Sequence, residues 1–153
     1  ASREKAILSQ WEIGAALVPG GGPMARLPRL MGRGRALEVL LTGNDINGEL
    51  AERYGYVNRA LPDAELDAFV DTMARRIARF DKQSIADIKR LVDAASLPPN
   101  EAIAAEWDGF IGSVKRPAAQ QRITQLMELG LQKKADVEKR LAHYTGTLGE
   151  ASK

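Results

Sequence analysis

The sequence predicts a mainly helical chain that also supplies two or three short strands to an α/β fold. From Arg35 onward, apolar residues recur at helical spacing and are separated by short turns. Two short segments, residues 5–9 and 56–61, lack that period and are interpreted as strands. Because two short strands do not make a stable sheet alone, we expect residues outside this sequence to complete it.

Glycine and proline set the expected boundaries in the first part of the chain. A glycine triplet at residues 20–22 follows the first predicted strand, and Pro23 suits the first turn of a helix because that position needs no N–H. The N–H groups of this helix start are expected to be free for an anion or a polarised water. Gly55 is typical of a helix end, and the second predicted strand follows it.

Two long helices are predicted next. The first spans residues 64–80, with Asp63 as its expected N-cap and with one apolar face expected to be buried. The second spans residues 83–95 and ends before Pro98, because proline lacks an N–H and clashes with the preceding turn of a helix.

Three further helices complete the predicted architecture. Asn100 is the expected cap of the first, and Trp107 and Phe110 fall on its apolar side, so we expect both rings in the core or in a subunit interface. Pro117 suits the first turn of the second helix, which Gly130 is expected to close. The last helix is expected after Asp136.

Composition excludes several kinds of chemistry. The 153 residues are 44% apolar, which is enough for one domain with one hydrophobic core. There is no cysteine, so disulfides and thiolate metal sites are excluded. His143 is the single histidine and is expected at the surface, which argues against a histidine-based catalytic triad.

Charge and hydropathy argue against nucleic-acid and membrane partners. Lysine and arginine number 22 against 20 acidic residues, and basic residues are not interleaved with aromatic ones as they are in single-strand binders. The longest apolar runs are far shorter than the roughly 20 residues that cross a bilayer. Residues 1–5 lack the pattern of a signal peptide, so a cytoplasmic location is expected.

Glu12 and Gly20 are the candidate functional residues. Glu12 lies between Trp11 and Ile13, and apolar neighbours raise the pKa of a carboxyl group by desolvation, which suits it to proton transfer. Gly20 opens a turn in which missing side chains let the backbone approach a ligand closely. On these residues alone, a surface glutamate at a strand end and an ordinary strand-to-helix turn are the alternatives.

Several segments together resemble one known family. They are Glu12-Ile13-Gly14, Pro19-Gly20-Gly21-Gly22, Arg26-Leu27-Pro28-Arg29-Leu30, Gly32, Ala36-Leu37-Glu38, Leu41-Thr42-Gly43, Ala51-Glu52, Gly55-Tyr56-Val57-Asn58 and Leu61-Pro62. This run resembles the central signature of the crotonase superfamily, and in particular of the enoyl-CoA hydratase/isomerase family. The later helices, one of which carries Lys89, look like the C-terminal trimerisation region of that family.

The resemblance implies an α/β crotonase-type fold, in which a strand-strand-helix spiral is followed by a helical region. Residues 1–62 would form the C-terminal end of the spiral core. Residues 63–153 would form the helical region that packs subunits into a homotrimer or a hexamer. The implied substrate is an acyl-CoA thioester, so coenzyme A is part of the substrate, and no separate cofactor and no metal are expected.

The resemblance also implies roles for two residues. Glu12 matches the second of two catalytic glutamates, and the backbone amide of Gly20 matches one that helps to hold the catalytic water. The first glutamate, the oxyanion-hole amides and most of the coenzyme A pocket of the family precede Ala1, so we expect a C-terminal portion that does not catalyse alone.

Hydration or isomerisation of an enoyl-CoA thioester is therefore the predicted function. Glycine rather than aspartate at position 20 argues against the dienoyl-CoA isomerase variant. The alternative is a non-catalytic crotonase-like fragment or subunit whose helices serve assembly only.

Overall fold

Helices dominate the computed structural model of the chain, which describes residues 1–148. In chain order the elements are β1 (Ile7–Leu8), a 3-10 helix (Trp11–Ala15), α1 (Pro23–Met31), α2 (Arg33–Thr42), β2 (Ile46–Asn47), α3 (Gly48–Tyr54), α4 (Asp63–Ile77), α5 (Lys82–Ser96), α6 (Asn100–Val114), α7 (Pro117–Glu128), α8 (Asp136–Lys139) and α9 (Leu141–Thr147). The mainly helical character predicted from the sequence is confirmed. Of the predicted helical region 63–153, residues 149–153 lie outside the described part.

One antiparallel pair of strands lies in the first part of the chain. β1 pairs with β2, with Ile7 opposite Asn47. The prediction of a strand within residues 5–9 is confirmed. The sequence pattern misses β2 because Asn47, its last residue, is also the N-cap of α3 and accepts a hydrogen bond of 2.9 Å from the Leu50 N–H.

The predicted strand at residues 56–61 is wrong. Its first two N–H groups donate to the carbonyl oxygen of Ala51 and so complete the C-terminus of α3. Leu61, at the other end of the segment, makes an isolated parallel bridge to Ser2. The segment therefore ends a helix and does not extend a sheet.

Two hydrophobic cores hold the chain together, rather than the single core that we expected. The first joins α1, α2, β2 and α3, and its buried residues are Leu27, Met31, Ala36, Val39, Leu40, Ile46 and Ala51. The second joins the 3-10 helix to the C-terminal helices, and its buried residues are Ala15, Leu17, Ala119, Leu126, Val137 and Leu148. Residues 18–26 connect the two cores, and this connection carries the glycine triplet.

α4 and α5 have no buried residue in the described chain. The face of α4 that was expected to be buried is instead exposed, by 39% at Phe69 and by 46% at Met73. On α5, Leu91 is 59% exposed. The hydrophobic period therefore predicts both helices correctly, but no residue within 1–148 buries their apolar faces.

Two helix starts differ from the predicted caps. Asp63 is the first residue of α4, and its carboxylate pairs with Lys5 instead of capping the helix. Asn100 is likewise the first residue of α6. In both cases the cap position is taken by a proline, Pro62 or Pro99, whose ring fixes φ while its ψ stays extended.

Other predicted boundaries agree with the structure, with two exceptions. α4 ends at Ile77, three residues before its predicted end at residue 80. Pro117 is the first residue of α7, and Gly55 ends α3 in the left-handed conformation with a φ of 78°. The helix expected after Asp136 is divided into α8 and α9, because Arg140 adopts a non-helical φ of −138°.

Candidate active site

Glu12 lies on the 3-10 helix Trp11–Ala15. The position at the end of a strand that the sequence suggested is therefore wrong. Its side chain is half-buried, and its Oε2 atom is buried without a hydrogen-bond donor among residues 1–148. Burial raises the pKa of Glu12 above its ordinary value of 4.5, and a hydrogen bond from its own backbone N–H offsets part of that effect. The direction of the pKa shift predicted from the sequence is confirmed.

A buried carboxylate oxygen without a partner is uncommon, because buried polar groups are normally hydrogen-bonded. Groups of this kind, when their pKa is also perturbed, are concentrated at functional sites. Because its pKa is raised by burial, Glu12 holds its proton more tightly than an exposed glutamate does. The side chain is therefore better suited to exchange a proton than a surface glutamate is.

Two C-terminal helices hold the 3-10 helix in place. The Arg122 Nη1 atom of α7 donates a hydrogen bond of 2.8 Å to the carbonyl oxygen of Gly14. Thr145 of α9 lies so close to Gly14 that a Cβ atom there would be 2.7 Å from its Oγ1. Ala16 ends the helix in the left-handed conformation with a φ of 60°. The backbone that carries Glu12 is thus fixed by elements from the other end of the chain.

Gly20 and Gly22, the outer two residues of the glycine triplet, pack directly against α6. A Cβ atom at Gly20 would lie 3.0 Å from Phe110 Cγ, and one at Gly22 would lie 2.8 Å from Ile103 Cδ1. Gly22 also has a φ of 105°, which favours glycine. The N–H of Gly20 donates to no backbone acceptor within residues 1–148, so it is available to an acceptor from outside.

The start of α1 is not the open anion site that the sequence suggested. Glu106 of α6 accepts a hydrogen bond of 3.3 Å from the Met24 N–H at its Oε2 atom, and its Oε1 atom accepts one from the Ala25 N–H. The N–H groups that a helix start leaves without a helical partner are therefore already used. An acidic side chain at a helix N-terminus is also favoured by the helix dipole, which explains why the site is filled from within the protein.

Glu106 is the site residue that sequence reasoning missed. The sequence did contain a weak indication of this residue. Glu106 is three positions after Ile103 and four before Phe110, which places it on the apolar face of α6. A carboxylate on the packed face of a helix needs a partner. The sequence did not show that this partner would be the backbone of a segment about 80 residues earlier.

Glu12 and Gly20 both belong to one short segment, residues 12–20, that is anchored by α6, α7 and α9. His143 is exposed, as expected. In the described part of the chain, no three histidine, cysteine, aspartate or glutamate side chains are grouped in a way that would hold a metal ion. None of the helices there is both long and apolar enough to cross a membrane.

Comparison with known proteins gives the family. The family model described as Enoyl-CoA hydratase/isomerase matches residues 2–146. The chain belongs to the enoyl-CoA hydratase/isomerase family. The resemblance that residues 12–62 indicated is therefore confirmed.

Two members of the enoyl-CoA hydratase/isomerase family illustrate what share of a relative's length this chain covers. A probable mitochondrial enoyl-CoA hydratase from Dictyostelium discoideum is 37% identical over 92 residues, which are 60% of this chain and 33% of that protein. A candidate enoyl-CoA hydratase/isomerase from Bacillus subtilis, YngF, is 31% identical over 145 residues, which are 94% of this chain and 52% of that protein.

A solved structure from the same family confirms the crotonase-type fold. The crystal structure of a candidate enoyl-CoA hydratase from Streptomyces avermitilis superposes with a TM-score of 0.94 at 44% sequence identity. The match covers 97% of this chain and 53% of that one. The chain thus spans about half, or less, of the length of the relatives that it matches.

Proposed function

We propose that the protein containing this chain acts on enoyl-CoA thioesters and either adds water to the double bond or shifts its position. The observation that carries the proposal is the Oε2 atom of Glu12, which is buried without a donor and belongs to a carboxyl group of raised pKa. Membership of the enoyl-CoA hydratase/isomerase family supplies the substrate class.

In the proposed hydration, Glu12 exchanges a proton with the substrate or with the attacking water. The water oxygen bonds to the β-carbon of the enoyl group, and a proton is added to the α-carbon. The N–H of Gly20 donates a hydrogen bond to the water and orients it toward the double bond. Negative charge that develops on the thioester oxygen is stabilised by an oxyanion hole, which we assign to residues preceding Ala1.

The same residues also support the simpler isomerisation. Glu12 would then remove a proton from one carbon of the acyl chain and return it to another, and no water would be consumed. Gly20 has no side chain that could act as a second acid or base, so Glu12 is the proton-transfer group that this segment offers in either reaction.

Assembly and location belong to the same proposal. The exposed apolar faces of α4 and α5 support a homotrimer or a hexamer, because large exposed apolar surfaces mark contacts with other chains. The cytoplasm and the absence of nucleic-acid and membrane partners stay predictions of the sequence. Those same faces also favour the second candidate function, a non-catalytic subunit that serves assembly only.

Turnover by the complete gene product that contains this chain tests the proposal. Each compound of a series of enoyl-CoA thioesters is incubated with the protein, and hydrated and isomerised products are separated. We expect turnover of at least one compound, and we expect Glu12→Gln to lower kcat by about 100-fold or more, the scale of general acid–base catalysis.

Glu101→Gln serves as the control, because it removes an exposed carboxylate on α6. No turnover of any compound by the correctly folded protein would favour the assembly function. An unchanged kcat in Glu12→Gln would remove that residue from the proposed site.

A further inference from the structure

Glu106 is a buried carboxylate for which the proposed reaction leaves no role. The residue is only 7% exposed, although it lies on a helix whose other charged residues, such as Glu101 and Asp108, are exposed. Its two oxygens accept hydrogen bonds from the N–H groups of Met24 and Ala25 in the first turn of α1. A carboxylate is costly to bury, and hydrogen bonds to both of its oxygens are what offset this cost.

The hydrogen bonds of Glu106 join two elements that are far apart in the chain. Its partner Ala25 is 81 positions earlier. The carboxylate therefore does more than cap α1, because it also fixes where α1 begins relative to α6. The positive end of the α1 dipole strengthens the attraction.

Other residues on the same face of α6 hold the loop of residues 18–22, which precedes α1. Ile103 packs against Gly22, Phe110 packs against Gly20, and the Ser113 Oγ atom accepts a hydrogen bond of 3.0 Å from the Val18 N–H. The loop is thus held before the glycine triplet by Ser113 and after it by Glu106. Three glycines in succession have little conformational preference of their own, so the direction of their N–H groups depends on these two ends.

We infer that Glu106 is a positioning residue for the proposed reaction: by holding the first turn of α1, it sets the direction in which the Gly20 N–H points. The inference rests on the proposed function, in which that N–H orients the attacking water. Glu106 touches neither the water nor the substrate in this scheme. Because the effect acts on the water and not on the acyl-CoA, its loss lowers kcat and leaves KM nearly unchanged.

Glu106→Gln in the complete gene product tests this inference. The glutamine has the same size, but it replaces one accepting oxygen with an NH₂ donor that faces a backbone N–H. We expect kcat for hydration of the preferred enoyl-CoA to fall by about tenfold or more, with KM within about twofold of the wild-type value. We also expect the amides of Met24 and Ala25 to exchange hydrogen about tenfold faster or more.

Two further variants separate positioning from loss of folding. Glu106→Asp retains two accepting oxygens, so we expect it to recover part of the kcat that Glu106→Gln loses. Glu101→Gln, on the same helix, is expected to leave kcat and both amide exchange rates unchanged. The folded fraction of every variant is measured by the stoichiometry with which it binds the hydrated acyl-CoA product, and kcat is calculated per binding site.

The possible outcomes are distinct. A kcat of Glu106→Gln within twofold of wild type, or a loss that disappears when kcat is expressed per binding site, would overturn the positioning role while the proposed function stands. Wild-type protein that is folded but turns over no enoyl-CoA would overturn the proposed function, and the inference with it.

Discussion

Arg122 on α7 donates a hydrogen bond of 2.8 Å to the carbonyl oxygen of Gly14, two residues after Glu12. The bond connects positions that are 108 residues apart, and Arg122 is partly buried where it forms. A charged donor held in this way makes a stronger hydrogen bond than a neutral one. The position of Glu12 therefore depends on a helix that contributes no side chain to the proposed chemistry.

Arg122→Met is expected to destabilise the complete gene product by about 1.5–3 kcal/mol, the range for a hydrogen bond to a charged group. The methionine retains most of the apolar part of the side chain and removes the donor. The free energy of unfolding is measured with denaturant. Arg90→Met is the control, because Arg90 forms an exposed ion pair with Asp87 at 3.3 Å, and such pairs contribute about 1 kcal/mol or less. Equal losses in the two variants would contradict a special role for Arg122.

Stability is expected to depend on pH through Glu12. The folded state raises the pKa of this carboxyl group above 4.5, so the folded protein holds the proton more tightly than the unfolded chain does. As the pH rises through the interval between the two pKa values, the unfolded chain loses its proton first, and the free energy of unfolding falls. Below the unfolded-state value Glu12 contributes no penalty, and above the folded-state value the penalty is constant.

The difference in the free energy of unfolding between wild type and Glu12→Gln isolates this effect, since the glutamine does not titrate. We expect the wild type to lose stability relative to the variant as the pH is raised from about 4 to 8, with the change lying between the unfolded-state and folded-state pKa values of Glu12. Denaturant unfolding at each pH gives the two curves. Parallel curves would show that the carboxyl group is not desolvated in the folded protein.

Gly20→Ala is expected to destabilise the protein by about 1–3 kcal/mol, because the new Cβ atom would be pressed against the Phe110 ring at 3.0 Å. Combining it with Phe110→Leu is expected to relieve part of this cost, with an interaction energy of about 0.5–3 kcal/mol in a double-mutant cycle. Gly34→Ala is a suitable control, because a Cβ atom there would have no neighbour within 4 Å. Strict additivity of the two substitutions would mean that the ring and the loop do not touch.

Leu91→Lys is expected to reduce the number of subunits in the assembled complete gene product. Leu91 is 59% exposed on α5, beside Ile88 at 63%, and a lysine in a chain interface of this kind would be desolvated without a partner. Sedimentation velocity gives the mass. Asp93→Lys places the same side chain on another face of α5 and is expected to leave the mass unchanged. A variant with the mass of the wild type would show that this face is not part of the interface.

Local sequence features predicted a large part of this structure. Helical periodicity gave both ends of α5 and the start of α4 to within one residue, although α4 ends three residues before its predicted end at residue 80, and Pro117 marked the start of α7. These features succeed because a helix is stabilised by interactions a few residues apart. The family was also predictable, since its signature lies in one continuous stretch. The catalytic roles of Glu12 and Gly20, and the division between residues 62 and 63, stay predictions.

The errors arise where distant segments decide the structure. The segment 56–61 has strand-like residues, but its first N–H groups are used to end α3, and no local pattern shows this. Glu106 could not be connected to Ala25 from the sequence, because one partner is a backbone N–H that any residue except proline would offer. The face of α4 was predicted as apolar and buried, yet no residue within 1–148 buries it.

The hydrogen bonds that Glu106 and Arg122 make to residues 12–25 affect how the chain folds during synthesis. Glu106 is made 81 positions after Ala25, and Arg122 is made 108 positions after Gly14. A ribosome has therefore built most of this chain before residues 12–25 acquire either partner. Closing such long loops is slow compared with forming a helix. The proposed site at Glu12 and Gly20 is accordingly assembled only after residues 106–122 have been made.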